Sequence, residues 1–259
     1  MKKLVLVPWL LVVSFAAPAQ FSFTTNDGAI TITGYSGTNP VVTIPGSTNG
    51  YPVTAIGNSA FAYSGLASVA LPSSITLIGD YGFAGCLDLT NIALGSGVSS
   101  IGAFAFNDCI SLSSVTLPDS LANIGDEAFA NCSGLAAANF LGDAPGADST
   151  VFLDDSVTVR YLPGTSGWGA SFGGASTARW TLPFPLILTH NTSLGAHADG
   201  FGFTISWATN LAVVVDASTN LFPAAWQPVQ TNTLTGGTNF FRDVRWTNFP
   251  ARFYRVHGL

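Results

Sequence analysis

The sequence predicts a solenoid of short parallel strands, joined by short helical or irregular turns into about five coils, with a small all-β sandwich-like domain behind it. Three observations carry this. Ile-Gly recurs at Ile56-Gly57, Ile78-Gly79, Ile101-Gly102 and Ile124-Gly125. Phe61, Phe83, Phe106 and Phe129 follow five residues after each isoleucine, with Leu66, Leu89, Leu112 and Leu135 behind them. The steps are 22 or 23 residues, and a fixed period in this range marks stacked repeats. From Phe201 onward the period is absent and strict apolar alternation replaces it.

Residues 1–19 read as a secretory signal peptide. Lys2 and Lys3 precede an apolar run from Leu4 to Ala16, and Ala17-Pro18-Ala19 supplies small residues for cleavage. The run is shorter than the roughly 20 apolar residues a bilayer span needs. The expected location is secreted, extracellular or at the cell surface. Losing Lys2 and Lys3, the only lysines, takes the net charge from −6 to −8. No basic residue lies between Ile56 and Phe140, so this surface repels phosphates and nucleic acid is not an expected partner. Charged residues make up only 8% of the chain, which leaves little repulsion to oppose self-association.

The solenoid with its caps is assigned to 20–181. Gln20 to Tyr51 has the character of an N-terminal cap, with strand-like alternation over Ala29 to Thr33 and an Ile-Pro ending at Ile44-Pro45. Such a cap is required because a first coil would otherwise present an apolar face and an unpaired edge. Each repeat then has two parts. Leu66-x-x-Val69-x-Leu71-Pro72, Leu89-x-x-Ile92-x-Leu94 and Leu112-x-x-Val115-x-Leu117-Pro118 predict strands with one face buried, ended by proline. The second part runs from Ile-Gly through Phe to Cys. In Ile124-Gly-Asp-Glu-Ala-Phe-Ala-Asn-Cys132, acids precede small residues, which predicts a short helical turn.

Cys86, Cys109 and Cys132 are 23 residues apart and so share one position on consecutive coils. Stacked coils hold equivalent residues roughly 4.7–4.9 Å apart with side chains parallel, whereas a disulfide needs Cβ atoms at roughly 3.5–4.5 Å and converging. A column of buried free thiols is expected. The fourth repeat decays at Ala138, Phe140 and Leu141, yet Phe152 and Val157 to Pro163 keep the spacing of one more coil. Gly164 to Gly174 closes it, with Trp168 and Phe172 lying across the end as a lid.

These repeats resemble the BspA-type leucine-rich repeats of bacterial surface and secreted proteins. The likeness runs from about Ala29 to Trp180 and rests on the L-x-x-[VI]-x-L-P strand, the I-G step, and the A-F and Cys of Ala128-Phe129-Ala-Asn-Cys132. The first repeat departs by one residue at Ser64-Gly65. The resemblance implies a short curved leucine-rich repeat solenoid outside the cell, engaged in adhesion or protein recognition, and it brings no catalytic residues.

Residues 182–200 read as a linker, opened by Leu182-Pro-Phe-Pro185, and 201–259 as the C-terminal β domain. Phe201, Phe203, Ile205 and Trp207 alternate, as do Leu211, Val213 and Val215; further strands are expected at 226–231, 239–246 and 252–256, with Thr-Asn pairs as turns.

Chemistry is sparse. His190, His197 and Asp199 match no metal-ligand spacing. Asp154 and Asp155 are adjacent, so their carboxyls diverge instead of facing across a cleft, and a solvated loop is expected. Asp80 and Asp126 share a register that Ala103 interrupts, against a calcium ladder. No catalytic residue, cofactor or metal is expected, and the chain does not read as an enzyme. Two surfaces stand out for binding. The outward strand face offers Ser68, Asn91, Ser114, Thr116 and Asn139, all small and neutral. The C-terminal domain offers Trp226, Arg245, Trp246 and Tyr254, residue types enriched at interaction hot spots. The reading is a non-enzymatic secreted or cell-surface recognition or adhesion scaffold for an extracellular protein. The alternative is glycan binding by aromatic residues of the C-terminal domain.

Overall fold

The computed structural model describes residues 20–189 and 194–259, so the signal-peptide segment 1–19 and His190 lie outside the described residues. The 23-residue period becomes two columns of strands. In the first, Tyr51–Ile56, Leu77–Ile78, Ser100–Ile101 and Asn123–Ile124 pair in parallel, with Ile56, Ile78, Ile101 and Ile124 in one register. The second column is built from the Leu-x-x-Val-x-Leu segments. Val41–Thr43, Ser68–Ala70 and Asn91–Ala93 form its first part; Ser114–Leu117, Ala137–Phe140, Thr158–Tyr161 and Ala175–Arg179 form its second.

Among the described residues the solenoid makes about six turns, against the about five expected. Val41–Thr43, read from sequence as part of the cap, pairs in parallel with Ser68–Ala70, setting Val42 beside Val69. The apolar Val42 and Ile44 complete a coil interior there, and both are buried. The cap proper is the antiparallel hairpin of Phe21–Asn26 and Ala29–Tyr35, whose second strand runs parallel to Tyr51–Ile56. At the other end Trp168 stacks on Tyr161 at 5.2 Å and meets Phe140 edge-on at 4.9 Å, forming the expected lid.

The segments from Ile-Gly to Cys are irregular turns and not helical ones, for a reason visible in their backbone donors. Tyr81, Phe83 and Gly85 donate N–H to the carbonyls of Ala103, Ala105 and Asn107 on the next coil, at 2.9, 2.7 and 2.8 Å. The alternate donors of Gly82, Ala84 and Cys86 close local turns onto Gly79, Tyr81 and Phe83, at 3.1, 3.1 and 3.3 Å. A helix would keep every donor within its own segment; here half of them point along the solenoid axis. That geometry needs left-handed backbone at regular intervals. One column is Ser59, Tyr81, Phe104 and Glu127, with φ of 57°, 57°, 56° and 53°; the other is Tyr63, Gly85, Asp108, Asn131 and Asp154, with φ of 58°, 67°, 59°, 59° and 62°. Gly, Asn and Asp, which tolerate this region best, hold four of the five places in the second column.

The phenylalanines fill the interior as a continuous stack. Phe61, Phe83, Phe106, Phe129 and Phe152 follow one another at centroid spacings of 4.9, 5.3, 4.9 and 5.8 Å. Beside them Cys86, Cys109 and Cys132 are free and buried. Each thiol donates to the carbonyl of the phenylalanine one coil back: Cys86 to Phe61 at 3.1 Å, Cys109 to Phe83 at 3.3 Å, Cys132 to Phe106 at 3.1 Å. Burial pushes the Cys132 thiol up to about 12 and Cys109 higher still, so neither is a reactive thiolate.

The C-terminal region forms two facing sheets. Gly200–Ser206 is flanked by Thr238–Asp243 on one edge and by Leu186–Leu188 and Gly195–His197 on the other. Ala212–Ser218 lies between Gln227–Thr233 and Phe253–Gly258. Phe203, Ile205, Val213, Val215, Leu234 and Phe241 make the core between them. Two of these strands fall inside the stretch read as a linker, because Leu188 supplies an apolar side chain that is 2% exposed. The region packs on the last coil. Ser206 Oγ donates to Pro163 O at 2.6 Å, and Gly237 approaches so closely that a Cβ would lie 2.8 Å from Pro163.

Two outcomes are expected. Phe106→Ala removes the middle of the ring stack and should lower stability by about 3–5 kcal/mol, while Ser114→Ala on the exposed face should change it by less than about 0.5 kcal/mol; thermal unfolding of both variants decides. Labelling with a thiol reagent should modify none of the three cysteines in the native protein and all of them after denaturation.

Candidate functional site

The strand face is not uniform. Gly95 stands where the flanking repeats carry Pro72 and Pro118, and Gly97 where they carry Ser74 and Ser120; a Cβ on them would lie 2.2 Å from Pro72 O and 2.0 Å from Ser73 O. Lacking side chains, this segment settles against the coil before it. On its other side the hydrogen-bonded ladder lapses: Asn91–Ala93 and Ser114–Leu117 belong to separate sheets. A cleft of about 400 Å³ opens over the lapse, bordered by Asn91, Ser96, Ser114, Thr116, Asp119 and Leu141.

Three of the residues expected on this face, Asn91, Ser114 and Thr116, therefore share one cleft. Ser68 lies beside it, half-buried, and accepts a hydrogen bond from Asn91 Nδ2 at 3.2 Å. Asn139 departs from expectation. It sits in register between Thr116 and Arg160 but is only 9% exposed, and its Oδ1 is buried without a hydrogen-bond partner. The decayed fourth coil buries the whole of Ala137–Phe140, so the alternation that should have turned Asn139 outward fails there. Asp119 and Leu141 were not anticipated. The signal for them was the loss of proline at Leu141 and at Gly95, which breaks the regular strand ending. Asp119 also accepts a hydrogen bond from the Thr189 hydroxyl, tying the floor of the cleft to the C-terminal region.

The C-terminal candidates divide. Trp246 and Tyr254 line one small cleft of about 150 Å³ with Phe201, Phe249 and Arg252. Trp226 is elsewhere, half-buried beneath the Arg255 guanidinium at 4.7 Å. Tyr254 stacks on Phe201 at 5.3 Å and donates to Asp243 at 3.0 Å, so much of it is framework. Burial and the Asp243 carboxylate push its hydroxyl up to about 12. Asp243 also takes Arg252 Nε at 2.5 Å and the Arg245 amide at 2.9 Å. Burial raises this carboxyl, but those bonds outweigh it and hold Asp243 below the usual carboxylate value. Arg245 thus contributes its backbone to the framework, while its side chain is exposed.

Acids in the repeats act between coils. Asp80 Oδ1 accepts the Ala103 amide at 2.9 Å, and Asn58 Oδ1 accepts the Asp80 amide at 3.0 Å. Asp199 pairs with Arg242. Among the described residues no group of three or more His, Cys, Asp or Glu side chains is arranged to hold a metal ion, and no helix is long and apolar enough to cross a membrane.

Residues 54–163 match the family described as BspA type Leucine rich repeat region, in six copies. No curated protein matches the chain. Among solved structures, the chain is similar to a leucine-rich repeat protein of T. pallidum, at 30% identity and a TM-score of 0.48, covering 56% of this chain and 70% of that one. It is also similar to a leucine-rich repeat protein of Bacteroides capillosus, at 31% identity and a TM-score of 0.44, covering 47% of this chain and 94% of that one. A leucine rich cell surface protein of Faecalibacterium prausnitzii matches at 22% identity and a TM-score of 0.43, over 72% of this chain and 57% of that one. The repeated strand, the Ile-Gly step and the phenylalanine stack all lie in that match: residues 54–163 are a BspA-type leucine-rich repeat region.

Proposed function

We propose that this protein is exported and works as a non-enzymatic recognition scaffold, gripping an extracellular protein on the strand face at the cleft between Asn91 and Thr116. The observation that supports this most directly is the lapse in the strand column. It interrupts an otherwise smooth sheet with a concave, neutral, hydrogen-bonding surface, which is the form small recognition sites take. Ser114 and Thr116 offer hydroxyls and Asn91 an amide, with Leu141 as an apolar contact. The acidic surroundings disfavour polyanions and favour a neutral or basic partner segment. A glycan is the second ligand class to test, through the separate cleft of Phe201, Trp246 and Phe249, whose aromatic lining suits a sugar ring.

The experiment uses the chain from residue 20 onward, immobilised and screened against purified extracellular proteins and a glycan array. Protein binding should weaken at least tenfold in Thr116→Arg and Ser114→Arg, and remain unchanged in Trp246→Ala. Glycan binding lost in Trp246→Ala but retained in Thr116→Arg would transfer the function to the C-terminal domain. Wild-type-level binding by both arginine variants would remove the cleft as the site.

A further inference from the structure

The cysteine column does not end at Cys132. Counting one period further reaches Asp155, 23 residues on, and the backbone confirms the equivalence. The Asp155 amide donates to Phe152 O at 3.3 Å, just as Cys86 and Cys109 donate to Phe83 and Phe106 at 3.3 and 3.2 Å. A carboxyl therefore occupies the place where three successive coils put a thiol donor. Both Asp155 oxygens are cut off from solvent, and beyond the approach of the Cys132 backbone amide they meet no hydrogen-bond donor. Its neighbour Asp154 is exposed on a left-handed backbone, so the two acids expected together in a solvated loop divide, one outward and one inward.

An unpaired buried carboxylate is strongly disfavoured, whereas a neutral carboxylic acid has an O–H to give. In the cysteine coils the acceptor is the carbonyl of the phenylalanine 25 or 26 residues back, at Phe61, Phe83 and Phe106. The equivalent carbonyl for Asp155 is that of Phe129. We propose that Asp155 is a proton latch: as the neutral acid it donates to Phe129 O and fastens the last coil to the stack, and releasing its proton to solvent loosens that coil.

The titratable groups around it all act in one direction or are themselves neutral. The Cys132 thiol faces it from the coil before, Asp154 lies alongside, and Asp108 acts on the same thiol from one coil further back. Burial raises the Asp155 carboxyl from 3.8 to about 6, with Asp154 adding to the rise and the Cys132 amide opposing it. The folded chain thus holds this proton more tightly than the unfolded chain. Stability from the latch is full below pH 4, declines as pH climbs to about 6, and is gone above that. The last coil carries the Trp168 lid and the contacts to Pro163, so the latch governs the junction with the C-terminal region.

The test is hydrogen–deuterium exchange of the chain from residue 20 at pH 5.0 and pH 7.5, with rates corrected for the intrinsic effect of pH. Protection of peptides covering 127–133 and 150–157 should fall at least tenfold at the higher pH, while 79–87 in the middle of the stack should not change. Asp155→Asn and Asp155→Cys, which carry donors at all pH values, should hold the low-pH protection throughout and raise the melting temperature at pH 7.5. Equal wild-type protection at both pH values overturns the latch without any variant. So does an Asp155→Asn protein that retains the wild-type pH response.

Discussion

The direction of alternate backbone donors in the turn segments is the constraint on which the solenoid depends. A peptide N–H removed from water must find an acceptor, and here every second one finds it on the next coil. Tyr81 reaches Ala103, Phe104 reaches Asp126 and Phe129 reaches Val151 in the same way. That pattern fixes the axial rise to what a parallel ladder allows, roughly 4.8 Å. The phenylalanine rings then have no choice but to stack face to face, and the thiols to sit within reach of the carbonyl behind them. Hydrophobic burial drives the stack, but the donors set its pitch.

Within that frame, local departures from the repeat are what give the surface a character. A perfect column would present a smooth strip of serine, threonine and asparagine. Gly95 and Gly97 let one coil crowd its predecessor, and the strip divides. The decayed coil at Ala137–Phe140 buries Asn139 with an unsatisfied oxygen, which costs about 1–3 kcal/mol. The cleft is bordered by Ser96, between the two glycines, and by Leu141, just past the decayed strand, so departures from the repeat shape two of its edges.

How legible this was in the sequence follows the same division. The strands, the ring stack and the free thiol column could be read because each depends on side chains repeated at one spacing. One strand of the cap, over Ala29 to Thr33, the lid at Trp168 and most C-terminal strands were also accessible, through apolar alternation and turn residues. The turns were left as helical or irregular, and the one from Ile124 to Cys132 was read as helical, because Asp126, Glu127 and Ala128 satisfy helix propensity, which knows nothing of a neighbouring coil that competes for the donors. Val41–Thr43 was taken for cap because Asn39 stands where the repeats carry their leading leucine, and an inserted hairpin at Ser47–Thr48 lengthens the step to Ile56-Gly57. The cleft was hidden because close approach of glycine to a carbonyl leaves no periodic signal, and Asp155 was read with its neighbour Asp154 as a solvated loop because adjacency, and not the cysteine register, guided that reading.

The two ends of the repeat region bear on how such a protein can change over generations. The hairpin at Phe21–Tyr35 pairs with Tyr51–Ile56, and the C-terminal region meets the later coils, at Pro163 and Gly164 and at Asp119 through Thr189. Duplication or loss of one 23-residue unit would lengthen or shorten the body by a single rise and leave both termini intact. The 22-residue step from Phe61 to Phe83 shows that even the unit length has slack. The distance between the two ends of the repeat region is therefore heritable in increments of about 5 Å, adjustable by recombination of whole units.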